Sequence, residues 1–129
     1  MTEQHKTILY IEDDRGQQRI YKSIFEKAGY RVLIADDKTS GLALAQEYNP
    51  DVILLDLLLS GAVNARGGIE LLEQLKEDKQ TQDIPVIVFT NYTGEDVLKK
   101  AQDLGAAEIV IKVDVTPRDV VELVERKYL

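Results

Sequence analysis

The sequence predicts a single α/β domain built on a five-stranded parallel sheet with helices on both faces. Short apolar runs rich in β-branched residues alternate five times with longer segments whose apolar residues recur at helical spacing. The apolar runs lack polar alternation, which is typical of parallel strands covered on both faces. Five strand–helix units are too few for an eight-stranded barrel, so they favour an open sheet.

The first two units each place an apolar run before a helical stripe. The first strand is Ile8–Ile11, and Asp14 after it fits the N-cap of a helix. The stripe of that helix consists of Ile20, Ile24 and Ala28. The second strand is Tyr30–Ala35, followed by a helix that ends near Asn49-Pro50, because the residue before proline avoids helical backbone. The residues assigned to this second helix include Leu42, Ala45 and Gln46.

The other three units repeat this pattern. Their strands are Val52–Leu55, Val86–Phe89 and Ile109–Ile111. Their helices are marked in turn by Ile69, Leu72 and Leu75, by Val97, Ala101 and Leu104, and by Val120, Leu123, Val124 and Tyr128. Gly105 suits the position just past the fourth helix. The last helix has a predicted N-cap at Thr116, Pro117 at its first position and Asp119 at its third.

The composition excludes several classes of function. The chain has 129 residues, of which 44% are hydrophobic, which is enough for a packed core. A formal net charge of −7 argues against direct nucleic-acid binding by this chain. With no cysteine there is no thiolate nucleophile or zinc–sulfur site. The apolar runs are too short to span a bilayer and the polar lead at residues 1–6 lacks a signal-peptide core, so we expect a cytoplasmic protein without membrane contact.

Acidic residues follow two of the predicted strands. Glu12 and Asp13 end the first strand, and Asp56 ends the third. Charge is costly to bury without a partner, and like charges brought close together cannot all ionise comfortably. If these strands are neighbours, the three acids converge, and a divalent cation would relieve their repulsion. The sequence therefore predicts a cation site at the carboxyl ends of the strands.

Two more polar residues complete a set of five. Thr90 follows the fourth strand and Lys112 follows the fifth. With Glu12, Asp13 and Asp56 in this order at strand ends, the chain resembles the receiver domain of two-component response regulators, from Thr7 to about Leu129. The resemblance implies the flavodoxin-like strand order 2-1-3-4-5, which makes strands 1 and 3 neighbours. We expect one receiver domain over residues 1–129 and no output domain in this chain.

The resemblance also implies a role for each of these residues. Asp56 would be the phosphoacceptor. Asp13, Asp56 and the backbone carbonyl of Leu58 would ligate Mg²⁺ directly, and Glu12 would act mostly through a metal-bound water. One Mg²⁺ suits such a site because it prefers oxygen ligands and keeps several waters.

Two further side chains would contact the phosphoryl group itself. The resemblance implies that Lys112 pairs with the phosphoryl group and that the Thr90 hydroxyl hydrogen-bonds to it after transfer. A lysine acts as a compact point charge for phosphate. The partners implied are a sensor histidine kinase or histidine phosphotransfer protein and an unknown downstream protein. We expect a monomer or a weak, phosphorylation-linked dimer that catalyses only its own phosphorylation and is not a turnover enzyme.

The chain departs from the family pattern around the site. Ile109 stands where the family usually has an aromatic residue, which puts the usual signal route in doubt. Val113 follows Lys112 where a proline in a cis bond is typical, so either a strained cis bond or another loop path is expected. The loop at residues 60–68 is long, and Ser60 replaces the usual proline.

Positions that tune dephosphorylation in the family carry no charge here. They are Leu58 and Tyr92, and neither side chain can hold an attacking water by charge. Asn91 replaces a usually smaller residue and narrows access further. We therefore predict a phosphorylated state that lasts hours rather than seconds.

Two other functions compete with a phosphorylation switch. The missing aromatic and proline are compatible with an interaction module that no longer depends on phosphorylation. A metal-dependent phosphatase is less consistent with the sequence, because Leu58 stands where those enzymes carry a second aspartate as proton donor. A flavodoxin is disfavoured because Glu12, Asp13 and Asp14 would repel a bound phosphate.

Overall fold

The computed structural model describes residues 5–59 and 64–129 and contains the predicted five-stranded parallel sheet. The strand order is β2-β1-β3-β4-β5, which confirms the order implied by the resemblance. The strands are β1 (Thr7–Ile11), β2 (Arg31–Ala35), β3 (Val52–Leu55), β4 (Val86–Thr90) and β5 (Glu108–Ile111). Residues 1–4 of the polar lead and 60–63 of the long loop lie outside the described residues.

A helix follows each strand, as predicted. The helices are α1 (Arg15–Lys27), α2 (Lys38–Tyr48), α3 (Arg66–Glu77), α4 (Glu95–Asp103) and α5 (Pro117–Tyr128), and Lys112–Asp114 forms a 3-10 turn. The loop predicted at residues 60–68 was too long at its end, because residues 66–68 begin α3. No helix in the described ranges is long and apolar enough to cross a membrane.

The helix ends follow local sequence signals. The Asp14 carboxylate accepts from the Gln17 N–H at 2.9 Å and caps α1. Thr116 and Asp119 form a reciprocal capping box at the start of α5. Gly105 follows the end of α4 with a φ of +103°, a backbone conformation that glycine adopts without strain. Each of these caps was predicted from the sequence.

The core consists of two layers, one on each face of the sheet. Side chains alternate in direction along a strand, so neighbouring residues enter opposite layers. One layer packs the sheet against α2, α3 and α4, and it includes Leu9, Ile53, Leu55, Leu72 and Val88. The other packs the sheet against α1 and α5, and it includes Ile8, Tyr10, Leu54, Phe89 and Val124. Both faces are covered, which explains why the strands lack polar alternation.

The apolar stripe predicted for α1 was correct for Ile24, which is half-buried against the core, but wrong for Ile20 and Ala28. Ile20 is 47% exposed and Ala28 is also exposed, whereas Tyr21 and Phe25 are buried. The Tyr21 ring packs edge-on against the Phe89 ring at 5.1 Å between centroids. The two aromatic rings bury more apolar area than the aliphatic stripe would, and this decides which face of the helix meets the sheet.

The strand register brings the polar strand ends to one place. Ile11 pairs with Leu55, and the Asp56 N–H donates to the Ile11 carbonyl at 3.0 Å. Thr90 pairs with Ile111, the residue before Lys112. The carboxyl ends of β1, β3, β4 and β5 therefore lie side by side.

Candidate functional site

Asp56 lies at the centre of a polar cluster at this edge of the sheet. It is only 6% exposed, although it is charged and follows directly after β3. One carboxylate oxygen, Oδ1, accepts from the Thr90 hydroxyl at 2.8 Å and from the Leu58 N–H at 3.0 Å. The other, Oδ2, accepts from Lys112 Nζ at 3.0 Å. Both oxygens are therefore fixed by donors that come from the ends of β3, β4 and β5.

Glu12 is the second buried carboxylate of the cluster. Its Oε1 accepts from Lys112 and from the Tyr10 hydroxyl, the latter at 3.3 Å, and its Oε2 accepts from the Asp14 N–H at 3.3 Å. Burial raises the pKa of Glu12 from the ordinary 4.5 to about 7, against the opposing effect of its hydrogen bond with Lys112. Burial therefore disfavours the ionised form of Glu12, and the positive charge of Lys112 favours it.

Lys112 reaches the two carboxylates at once. Its ammonium pairs with Glu12 and with Asp56, and it lies 5.5 Å from the centroid of the Phe89 ring. One ammonium carries a single positive charge, so the pair exceeds it by one negative charge whenever both carboxyl groups are ionised. Since uncompensated charge is costly at a buried site, the cluster favours a further cation.

The oxygen-bearing side chains at this edge are of the kind that Mg²⁺ prefers. Asp13 follows Glu12 at the end of β1, is half-buried, and lies on the strand next to the one that ends at Asp56. In the described ranges, no group of three or more histidine, cysteine, aspartate or glutamate side chains is arranged to hold a metal ion. Mg²⁺ does not require such a cage, because it commonly uses one or two carboxylates and keeps its waters. The feature that favours a cation here is the buried pair Glu12 and Asp56, which shares a single ammonium, that of Lys112.

Two side chains of the cluster were not predicted from the sequence. The Tyr10 hydroxyl supports Glu12, but Tyr10 lies inside an apolar strand and was assigned only to the core. Gln18 Nε2 donates to the Glu12 carbonyl and to Asp36 Oδ1, both at 2.5 Å, and so ties α1 to the loops after β1 and β2. The sequence carries no signal for either contact, since each depends on tertiary neighbours.

The departures from the family pattern have structural counterparts. No cis peptide bond occurs in the described residues, and Lys112–Asp114 forms a 3-10 turn, so the loop takes another path. The Val113 N–H at this turn donates to Asn91 Oδ1 at 3.0 Å, a contact that the size argument for Asn91 did not anticipate. Ile109 is half-buried against the layer that contains α4.

The two positions expected to shield the site, Leu58 and Tyr92, are both half-buried. Their backbone N–H groups contact the cluster directly. The Leu58 N–H donates to Asp56, and the Tyr92 N–H donates to Thr90 Oγ1 at 3.1 Å. The loops that follow β3 and β4 are thus joined to Asp56 and to Thr90, respectively, through short local hydrogen bonds.

Comparisons with known proteins agree with this geometry. The family model for the response regulator receiver domain matches residues 8–125. The phosphate regulon transcriptional regulatory protein PhoB of Pseudomonas aeruginosa is 35% identical over 116 residues, 90% of this chain and 48% of that protein. The chain therefore spans about half the length of this relative.

Solved structures of response regulators also resemble this chain. A CheY-like receiver domain protein from Methanospirillum hungatei JF-1 is 29% identical, with a TM-score of 0.86 over 97% of this chain and 94% of that one. The Mn²⁺-bound form of response regulator Rcp1 is 26% identical, with a TM-score of 0.79 over 96% of this chain and 94% of that one.

Proposed function

Because the chain belongs to the response regulator receiver domain family, we propose that it is a switch operated by phosphorylation of Asp56. The observation that carries this proposal is the environment of Asp56. Its buried carboxylate accepts hydrogen bonds from the Thr90 hydroxyl, the Lys112 ammonium and the Leu58 N–H. A carboxylate held by donors from three strand ends is positioned to act as a nucleophile.

The phosphoryl donor we propose is a phospho-histidine on a sensor kinase or phosphotransfer protein. An Asp56 carboxylate oxygen forms a bond to phosphorus, the bond between phosphorus and the donor imidazole nitrogen breaks, and its electron pair stays on that nitrogen. The imidazole then takes a proton from water. The products are an acyl phosphate on Asp56 and a neutral donor histidine, so the chain catalyses its own modification and does not turn over a substrate.

Thr90 and Lys112 supply the protein's contribution to this transfer. Both contact the Asp56 carboxylate in the unmodified chain. After transfer the negative charge lies farther out, on the phosphoryl oxygens, so the hydroxyl and the ammonium must turn from the carboxylate toward the phosphoryl group. Hydrogen bonds to a charged oxygen are roughly twice as strong as neutral ones, and this difference drives the rearrangement.

We propose Mg²⁺ as the cation of this site, held by Asp13, Asp56 and the Leu58 carbonyl, with Glu12 acting through a bound water. When bound, the metal supplies neutralisation of charge on the transferring phosphoryl group. The buried pair Glu12 and Asp56, which shares the ammonium of Lys112, supports this assignment. The Mn²⁺-bound state of the relative Rcp1 adds support from a similar protein.

The readout we propose is a change of surface near the loops after β3 and β4. The Leu58 N–H and the Tyr92 N–H are bonded to Asp56 and Thr90, so rearrangement of these two side chains releases or redirects both loops. Such a two-state element is biased by new charge-assisted hydrogen bonds. The downstream partner is a protein that distinguishes the two surfaces, and the cytoplasmic location expected from the sequence remains a prediction.

Labelling by a small phosphoryl donor tests the proposal. Intact mass is measured after incubation with acetyl phosphate and Mg²⁺, for the native chain and for Asp56→Asn. We expect the native chain to gain one phosphoryl group and the variant to gain none. A folded native chain that gains no mass would contradict the proposal.

Decay of the label tests the predicted lifetime of hours. Leu58 and Tyr92 flank the site without a charged side chain, and both are half-buried. Free donor is removed and the labelled fraction is followed by mass. A half-life on the order of a minute or less would contradict shielding by these residues, since it would require about a hundredfold faster hydrolysis than proposed.

An interaction module independent of phosphorylation is the second candidate. The observation that favours it is Ile109, which is half-buried against the α4 layer and presents neither a ring nor a hydroxyl to the site. In that case the chain binds its partner equally well before and after treatment with acetyl phosphate. A difference in partner affinity that disappears in Asp56→Asn would exclude this candidate.

A further inference from the structure

We propose that Asn91 is a positioning residue, whose amide oxygen fastens the turn that carries Lys112 to the turn that carries Thr90. The bond that carries this inference runs from the Val113 N–H to Asn91 Oδ1 at 3.0 Å. A backbone N–H can only donate, so the amide oxygen of Asn91, and not its nitrogen, must face Val113. The consequence for phosphoryl chemistry rests on the proposed function of Asp56.

The contact lies just beyond the end of the sheet. Thr90 and Ile111 form the last pair of the β4–β5 ladder. Asn91 follows β4 and Val113 follows β5, where the backbone ladder has ended. The hydrogen bond from the Val113 N–H to the Asn91 side chain thus connects the two loops beyond the last backbone pair.

The residues that precede Asn91 and Val113 both donate hydrogen bonds to the same carboxylate, that of Asp56. The Thr90 hydroxyl donates to Asp56 Oδ1 at 2.8 Å, and Lys112 donates to Asp56 Oδ2 at 3.0 Å. Asn91 follows Thr90 directly and Val113 follows Lys112 directly. Beyond the last ladder pair, one hydrogen bond therefore spans the two backbone segments from which these groups arise.

Apart from the strand pairing of Ile111 and the ion pairs of Lys112, the turn that carries Lys112 has few contacts among the described residues. None of the residues Lys112–Asp114 is buried, and Val113 is 76% exposed. The turn is closed by a bond of 3.3 Å from the Val115 N–H to the Lys112 carbonyl. A lysine side chain has many rotamers, so a fixed backbone origin is what allows its ammonium to stay on Asp56. The bond to Asn91 continues that fixed origin past the end of the ladder.

Amide hydrogen exchange on the full chain tests the hydrogen bond between Val113 and Asn91. In Asn91→Ala the exchange of the Val113 and Val115 amides should rise roughly threefold to tenfold, the value of one net hydrogen bond. Asn91→Asp keeps an acceptor oxygen at the same place and should retain the protection of both amides. Gln102→Ala, on the exposed face of α4, is the matched control and should leave both amides unchanged. Unchanged exchange of Val113 in Asn91→Ala would overturn the inference.

Two further readouts test positioning rather than stability. The NMR signal of the Lys112 ammonium should shift in Asn91→Ala and not in Gln102→Ala. Labelling by acetyl phosphate and Mg²⁺ should slow by roughly threefold to tenfold in Asn91→Ala, in line with the loss of one net bond. Faster Val113 exchange with neither effect would overturn the positioning role. A native chain that is not labelled would contradict the proposed function instead, and the exchange and Lys112 signals would still decide the role of Asn91.

Discussion

Replacement of Gly68 by alanine should lower the stability of the fold, because the structure leaves no room for a side chain at this position. Gly68 is buried in the first turn of α3 and lies against the backbone of Leu57, the residue after Asp56. A Cβ atom at Gly68 would lie 2.3 Å from Leu57 Cα and 2.5 Å from the Leu57 carbonyl oxygen. The obstacle is backbone, so no side-chain rotation can relieve the overlap. Gly68→Ala must displace either α3 or the segment that holds Asp56.

Gly67 provides the matched control for this change. It occupies the same helical turn, and a Cβ atom there would meet nothing within 4 Å. Replacing glycine by alanine inside a helix stabilises by up to about 1 kcal/mol, and this gain applies to both positions. Overpacking against a well-packed neighbour costs about 1–3 kcal/mol and applies to Gly68 alone. We expect Gly68→Ala to be less stable than Gly67→Ala by about 2 kcal/mol or more.

Urea unfolding followed by far-ultraviolet circular dichroism measures this difference. With a slope of about 1–3 kcal/mol/M, the midpoint of Gly68→Ala should fall roughly 1 M below that of Gly67→Ala. Labelling of Asp56 should also slow in folded Gly68→Ala, because Leu57 is part of the displaced segment. Equal midpoints, or a higher midpoint for Gly68→Ala, would refute the close packing of α3 against Leu57.

Three other substitutions have predictable costs, each measured by the urea midpoint. Tyr10→Phe removes the hydroxyl that donates to Glu12 and should cost about 1 kcal/mol, so an unchanged midpoint would argue against that bond. Thr81→Val removes a buried hydroxyl that donates to the Leu75 carbonyl at 2.7 Å and should cost about 1–3 kcal/mol; a neutral result would mean that the carbonyl finds another donor. Thr116→Ala removes the N-cap of α5 and should cost about 1 kcal/mol, whereas Thr116→Ser should restore most of it.

The parts of the fold that follow from local patterns were predictable from the sequence. Apolar runs without polar alternation identify buried parallel strands, and capping residues such as Asp14 and Thr116 identify helix starts. The strand order came from the resemblance and is confirmed by the sheet. Because parallel strands end at one edge, the position of Asp56 beside Thr90 and Lys112 followed from that order.

The contacts that could not be predicted from the sequence are tertiary contacts between residues far apart in the chain. The inner face of α1 is decided by the fit of Tyr21 against Phe89, which a helical stripe read from the sequence cannot reveal. The pairing of Lys112 with Glu12 arises because the half-buried lysine and the buried carboxylate lie at the same edge of the sheet, although the resemblance assigned them to different tasks. The bond between Asn91 and Val113 joins residues 22 positions apart and has no local signal.

Identification of the modified residue tests the central claim most directly. After labelling with acetyl phosphate and Mg²⁺, borohydride reduces an aspartyl phosphate to homoserine, and peptide mass spectrometry then locates it. The account predicts homoserine at position 56, lost in Asp56→Asn. Homoserine at Asp13 or at another aspartate, with position 56 unchanged, would contradict the assignment of Asp56 as the phosphoacceptor.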